Sequence, residues 1–213
     1  MARNLEFCTD EFYHICNRGV DKRNIFLDKF DFDRFIEGMD LFNRIESIGS
    51  IYENSFIKHP AIVLPTQRLV SFIAYCINPN HYHFLLEQLV DNGIERFMHR
   101  ISGYSRYFNH KYKRSGALFQ GAFKAVRIDD NDYLLHVSAY INLNHLVHGL
   151  GYGVSKSSWE EYLNPGISEF CKKDLILDQF KNIDDYKKYA EESVEETIIS
   201  RKEDKDLDEI LLD

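Results

Sequence analysis

The pattern of this 213-residue chain predicts an α+β sandwich with helices packed on a sheet. Three observations carry that expectation. Residues 11–18 alternate, 69–77 are rich in β-branched and aromatic side chains and 81–89 in aromatic and large apolar ones, and all three read as strands. The turn-forming Asn78-Pro79-Asn80 joins the last two into an antiparallel hairpin. Between and after the strands, apolar residues recur at helical spacing.

Taken in order, 11–18 (EFYHICNR) alternates as a first strand and is ended by Gly19. Asp31 or Asp33 can cap a helix whose apolar positions are Phe32, Phe35, Ile36, Met39, Leu41 and Phe42, running to about Ile48 before Gly49. Residues 50–67, with Pro60 and Pro65, predict an extended loop. After the hairpin, a helix is expected over 93–113, with Ile94, Phe97, Met98, Ile101, Tyr104, Tyr107 and Phe108 on its apolar side. Residues 117–128 read as a turn and a strand, and Asp129 or Asp130 can cap a helix over 131–144. From Trp159 the character changes to short helices, at 174–180 and 184–196, and a charged tail over 200–213. The division expected is a main domain at 1–158 and a helical, acidic C-terminal extension at 159–213 with a partly disordered end.

Composition narrows the function classes. No apolar run approaches a membrane span and no signal-peptide core stands at the N-terminus, so a cytoplasmic protein is expected. Cys8, Cys16, Cys76 and Cys171 show no C-x-x-C spacing, which disfavours zinc fingers and disulfide frameworks. The net charge of −8 argues at first against a nucleic-acid partner, but its distribution reverses the argument. Residues 96–128 hold eight basic side chains and no acid, whereas 151–213 hold nine basic and seventeen acidic ones. A cationic band on an acidic protein can still follow phosphates. Its candidate DNA contacts are Arg100, Arg106, Lys111, Lys113, Arg114, Lys124 and Arg127, joined by Asn17, Arg18 and Arg23 near the first strand. Tyr104, Tyr107, Phe108 or Tyr112 could stack unpaired bases, although the first three fit a core more readily.

The chemistry begins with His81 and His83. On a strand they share a face, about 7 Å apart, and Tyr82 points the other way. They could ligate one metal if a third ligand arrives from elsewhere. Tyr140 and Asn144 stand four residues apart, on one face of the helix expected at 131–144. If that helix packs on the histidine face, Asn144 supplies an oxygen. Two imidazoles and an amide oxygen suit Mg²⁺ or Mn²⁺ more than structural zinc. Tyr140 would then be a nucleophile. A free phenol has a pKa of about 10, so it needs a nearby cation to attack as phenolate. The competing readings are histidines on a solvated strand face, one core or rim tyrosine among thirteen, and a helix C-cap asparagine.

Ordered motifs favour the chemical reading. They are Tyr13-His14-Ile15-Cys16-Asn17-Arg18-Gly19, then Tyr75-Cys76-Ile77-Asn78-Pro79-Asn80-His81-Tyr82-His83, then Tyr107-Phe108-Asn109 and Gly116-Ala117-Leu118-Phe119-Gln120-Gly121. Asp132-Tyr133-Leu134-Leu135, Tyr140-Ile141-Asn142-Leu143-Asn144, and Trp159 with Tyr162 complete the series. Over roughly 11–165 the chain resembles the single-tyrosine HUH transposases, in the branch associated with repetitive extragenic palindromes. The resemblance implies the HUH endonuclease fold, a ferredoxin-like antiparallel sheet with helices packed on it. It implies a divalent-metal site at His81, His83 and Asn144. It also implies attack by Tyr140 on single-stranded or hairpin DNA, leaving a 5′-phosphotyrosine and a free 3′-hydroxyl. Members occur as monomers and as homodimers, and the segment around Phe180 and Tyr186 resembles the branch's C-terminal extension.

Departures are also visible. The family continues after Asn144 with Pro and, two residues on, Arg, where this chain has His145, Leu146 and Val147. His145 or His148 could substitute as a ligand or phosphate contact, with surface histidines the plainer reading. The segment 50–67 is longer than usual. The rival readings are a replication or conjugation nickase, which usually carries a third histidine, and a domesticated, non-cleaving binder of hairpin nucleic acid. The blandest is an α+β domain whose acidic tail mediates protein contacts.

Overall fold

A computed structural model describes residues 5–49, 51, 67–151, 153–164 and 166–203. Nearly all of the loop expected at 50–67, and the end of the charged tail at 204–213, lie outside them. The alternating segment at the start becomes β1 (Phe12–Arg18), and the hairpin becomes β2 (Val70–Asn78) and β3 (His81–Gln88) around Pro79-Asn80. With β4 (Lys124–Ile128) and the short β5 (Lys156–Ser157), they form an antiparallel sheet of order β4-β1-β3-β2-β5. The first four strands, with the helices between them, have the ferredoxin-like connection. Among the described residues, no helix is long and apolar enough to cross a membrane.

Strand alternation divides the apolar residues between two cores. On the first face, Tyr13, Ile15, Tyr75, Ile77, Tyr82, Phe84 and Leu86 meet three helices: α1 (Lys29–Leu41), α2 (Gly93–Ile101) and α3 (Tyr104–Lys111). On the second face, Cys76 and Leu85 meet α4 (Asn131–Asn142). Behind α4 follow the short α5 (Asn144–Val147), α6 (Trp159–Leu163) and α7 (Asp174–Leu177), and then the long α8 (Ile183–Glu203). Tyr162, Tyr186, Ala190 and Val194 are buried in this second core, so the C-terminal segment is packed into the sandwich.

The structure moves several expected boundaries. Asp28 caps α1, with Asp31 as its capping-box partner, and the helix stops at Leu41. Its end is held because Arg100 donates to the carbonyls of Phe42, Arg44 and Ile45, groups that lack helical partners. The helix expected over 93–113 is two helices, broken at Ser102-Gly103. The break lets Tyr104 turn inward and donate its hydroxyl proton to the Ile25 carbonyl at 2.7 Å. The turn and strand expected over 117–128 are both present: Gly121 turns at φ +88°, Phe119 makes a single bridge to Gly19, and the strand is β4. Helix α4 ends at Asn142, and Asn144 opens the next turn. Helix α8 continues well past the expected end at 196.

A buried polar network fixes α4 against its neighbours. Asn142 donates to the Tyr186 hydroxyl (2.9 Å) and accepts from Ser158 Oγ (2.5 Å), which itself accepts from the Tyr75 amide (2.9 Å). It ties together β2, α4, α8 and the residue preceding α6. Tyr186→Phe leaves the Asn142 amide without its acceptor, and is expected to cost about 1–3 kcal/mol in urea unfolding.

Candidate active site

The strand register assembles the second face of the sheet. Cys16 pairs with His83 and Arg18 with His81 across β1 and β3, while Cys76 and Asn78 pair with the same two histidines across β2 and β3. Directly paired residues share a face, and so do residues two apart on one strand. His14, Cys16, Arg18, Asn78, His81 and His83 are therefore gathered beneath α4.

The ring centroids of His81 and His83 lie 5.2 Å apart, with the planes nearly perpendicular. His81 Nδ1 is 2.6 Å from Asn80 Oδ1, which places its proton on Nδ1 and leaves a lone pair on Nε2. That Nε2 lies 3.1 Å from Asn144 Oδ1. Two acceptors so close need a positive group between them. Asn78 Nδ2 takes that part, 2.6 Å from Asn144 Oδ1 and 2.8 Å from His81 Nε2. Ser155 Oγ donates to Asn78 Oδ1 at 2.7 Å and so sets the orientation of that amide. Asn144 Nδ2 is buried with no hydrogen-bond partner among the described residues, so its amide is held through the oxygen. His83 Nδ1 is 2.8 Å from His14 Nε2. A proton on His83 Nδ1 leaves Nε2 as the coordinating atom, the ordinary way in which an outer partner orients a ligating imidazole.

Burial pushes the His14 pKa down to about 4 and that of His81 to about 3, with the His148 ring a further cause for His81. Burial also holds His83 well below the ordinary histidine range, followed by the neighbouring His14 and His81 rings. All three imidazoles are neutral near pH 7, as metal ligation requires. These donors fit a mixed N/O site for Mg²⁺ or Mn²⁺. Among the described residues no three His, Cys, Asp or Glu side chains form a metal-binding group, so the fit depends on the Asn144 oxygen.

Tyr140 stands over the same cluster, 6% exposed, its ring perpendicular to His83 at 5.7 Å and edge-on to His14 at 6.2 Å. Arg201 of α8 donates to its hydroxyl at 3.1 Å. Helix α4 therefore does pack on the histidine face with Tyr140, and the turn that follows it brings Asn144 to His81. His145 is buried, and the half-buried His148 has its ring 4.5 Å from that of His81.

Three of the candidate DNA contacts lie beside this cluster. A pocket of about 140 Å³ is lined by Asn17, Arg18, Gln120 and Lys124 together with His81 and His83. The other candidates lie elsewhere. Arg23 pairs with Asp21 at 2.9 Å and Arg127 with Glu11 at 2.7 Å. Arg100 holds the end of α1, and Lys111 reaches Asp28 and the buried Asp31 at 2.8 and 2.7 Å. Arg114 bonds Asn109 Oδ1 at 2.9 Å. Arg106 and Lys113 are exposed, on and just beyond α3, a helix of the opposite face of the sheet. Tyr104 and Phe108 are core residues, and the Tyr107 and Tyr112 hydroxyls bond Asp31.

Sequence reasoning did not single out His14, Asn78, Ser155 or Arg201. His14 had a signal, since it shares strand parity with Cys16 and Arg18, but its partner is known only once β1 is paired with β3. Asn78 was read as a turn former and is the last residue of β2.

The depressed histidines give a pH prediction. Between about 4 and 6.5 the unfolded chain binds protons at His14 and His81 that the folded chain refuses, so stability falls as pH is lowered through that window. In metal-free buffer, urea unfolding at pH 5 should show a loss on the order of 2 kcal/mol per buried histidine relative to pH 7.5. The pH slope should be shallower in His14→Asn.

The family described as "Transposase IS200 like" matches residues 58–144, about two-fifths of the chain, a stretch holding His81, His83, Tyr140 and Asn144. No curated protein matches. A solved structure described as the REP-associated tyrosine transposase bound to a REP hairpin shares the fold, with a TM-score of 0.55 and 13% identity, over 80% of this chain and 90% of that one. The chain is thus similar in sequence to IS200-like transposases over residues 58–144, and similar in fold to a REP-associated tyrosine transposase.

Proposed function

We propose that this protein cuts and rejoins single-stranded or hairpin DNA, in the cytoplasm and at the nucleoid, through a covalent bond to Tyr140 and with the help of a divalent metal. The observation that carries the reading is that Tyr140 lies against His83, in the cluster where His81 and Asn144 turn their lone pairs toward each other. The family match over the same residues supports it, and the hairpin named for the structural neighbour supports the choice of DNA.

In this reading His81, His83 and Asn144 hold Mg²⁺ or Mn²⁺, whose contribution is Lewis-acid stabilisation of charge building on the scissile phosphate. The residues of the chain do the rest. Arg18 and Lys124, in the pocket beside His81 and His83, pair with non-bridging oxygens and bring the backbone to the site. Tyr140 Oη loses its proton to solvent and attacks phosphorus. The Oη–P bond forms as the P–O3′ bond breaks, and the departing 3′-oxygen takes up a proton. The phosphotyrosine ester conserves the energy of the phosphodiester, so a second 3′-hydroxyl can reverse the step without ATP.

The test is a denaturing gel of 3′-labelled hairpin DNA incubated with protein and Mn²⁺. An adduct that carries the 3′ label, needs the metal and is absent in Tyr140→Phe is the expected result. Salt-sensitive binding without any adduct would replace this reading with that of a non-cleaving binder.

A further inference from the structure

We infer that Arg201, on the C-terminal helix, is a further catalytic residue that orients the Tyr140 hydroxyl and stabilises its oxygen during attack. This inference rests on the strand-transfer reading above and assigns a group to it. An attacking phenol needs a cation close by. The guanidinium of Arg201 reaches Tyr140 from α8. Its Nη2 donates to Tyr140 Oη at 3.1 Å, and its central carbon lies 5.8 Å from the centre of the tyrosine ring. One side chain thus fixes both the direction of the hydroxyl and the plane of the ring.

The helix is built to deliver that side chain. Tyr186, Ala190, Val194, Thr197 and Arg201 recur at intervals of three and four residues and so form one stripe. Tyr186, Ala190 and Val194 are buried in the second core, while Glu191, Glu192, Glu195 and Glu196 face outward. Ser193 bonds His136 Nδ1 of α4 at 2.9 Å, and Asn142 donates to the Tyr186 hydroxyl. From Ser193, eight residues at about 1.5 Å each carry the helix some 12 Å on, to Arg201. The bonds at Tyr186 and Ser193 tie α8 to α4, the helix that carries Tyr140. Arginine suits the role because it stays charged and can donate to the oxygen while its plane lies near the ring.

The experiment compares wild type, Arg201→Gln and Arg201→Lys in full-length protein. It reads single-turnover adduct formation on hairpin DNA with Mn²⁺, alongside DNA affinity and thermal midpoint. Arg201→Gln should slow adduct formation by about 100- to 1,000-fold with DNA affinity unchanged, the scale of losing one preorganised donor to a reacting oxygen. Arg201→Lys should restore part of the rate, because it returns a charge and a donor. An Arg201→Gln rate equal to or above that of wild type overturns the inference, the faster rate marking Arg201 as a restraint on Tyr140. Equal loss in the Gln and Lys variants with a lowered thermal midpoint overturns it in favour of a structural role. Absence of any adduct in wild type overturns the strand-transfer reading, and the inference falls with it.

Discussion

Burying imidazole and amide groups on one face of a sheet is costly unless each finds a partner, and much of the second half of this chain answers that constraint. His81 is held from Asn80 on one side and from Asn78 and Asn144 on the other. His83 is held by His14, and Asn78 by Ser155. None of these partners is adjacent in sequence except Asn80. Antiparallel pairing of β1, β3 and β2 brings the strand residues together, and α4 with its following turn closes over them. The polar cluster and the fold therefore depend on each other: a slip of one residue in β3 would turn both histidines into the opposite, apolar core.

The same constraint explains why the C-terminal helices belong to the sandwich. Helix α4 meets the sheet with Ile141 and Tyr140 and needs cover on its outer side. Tyr162, Tyr186, Ala190 and Val194 provide it, and the bonds linking Asn142, Tyr186 and Ser158 fix the angle at which it lies. Part of the acidic character that sets this segment apart in sequence resides on the exposed positions of α8, at Asp184, Asp185, Glu191, Glu192, Glu195 and Glu196. Most of the basic band has similarly local duties: Arg100 terminates α1, and Lys111 neutralises the buried Asp31. Charge density along a sequence tells where bases occur, whereas the tertiary structure decides which remain available to a phosphate.

Sequence periodicity made the hairpin, the shared face of His81 and His83 and the four-residue step from Tyr140 to Asn144 legible, and left the packing of the Tyr140 helix on that face as a condition. These are local relations, set by strand and helix geometry. What escaped is non-local or depends on a break in regularity. His14 becomes a partner of His83 only through strand pairing 69 residues away. Asn78 resembles a turn residue because Pro79 follows it. The break at Ser102-Gly103 falls within an unbroken apolar stripe, so periodicity alone does not mark it. Arg201 had a periodic signal, as a base on the apolar stripe of an acidic helix, but its partner lies 61 residues earlier.

Everything proposed for this site depends on the sheet and α4 holding one divalent ion with two imidazoles and an amide oxygen. The most direct measurement is Mn²⁺ binding to the full chain by electron paramagnetic resonance, in wild type, His81→Ala and Asn144→Ala. The account predicts a single bound ion in wild type and affinity weakened by at least about 10-fold in both variants, since even outer-shell partners are worth 10- to 100-fold. Equal affinity in all three proteins would contradict it, and would return His81 and Asn144 to the part of a satisfied polar core.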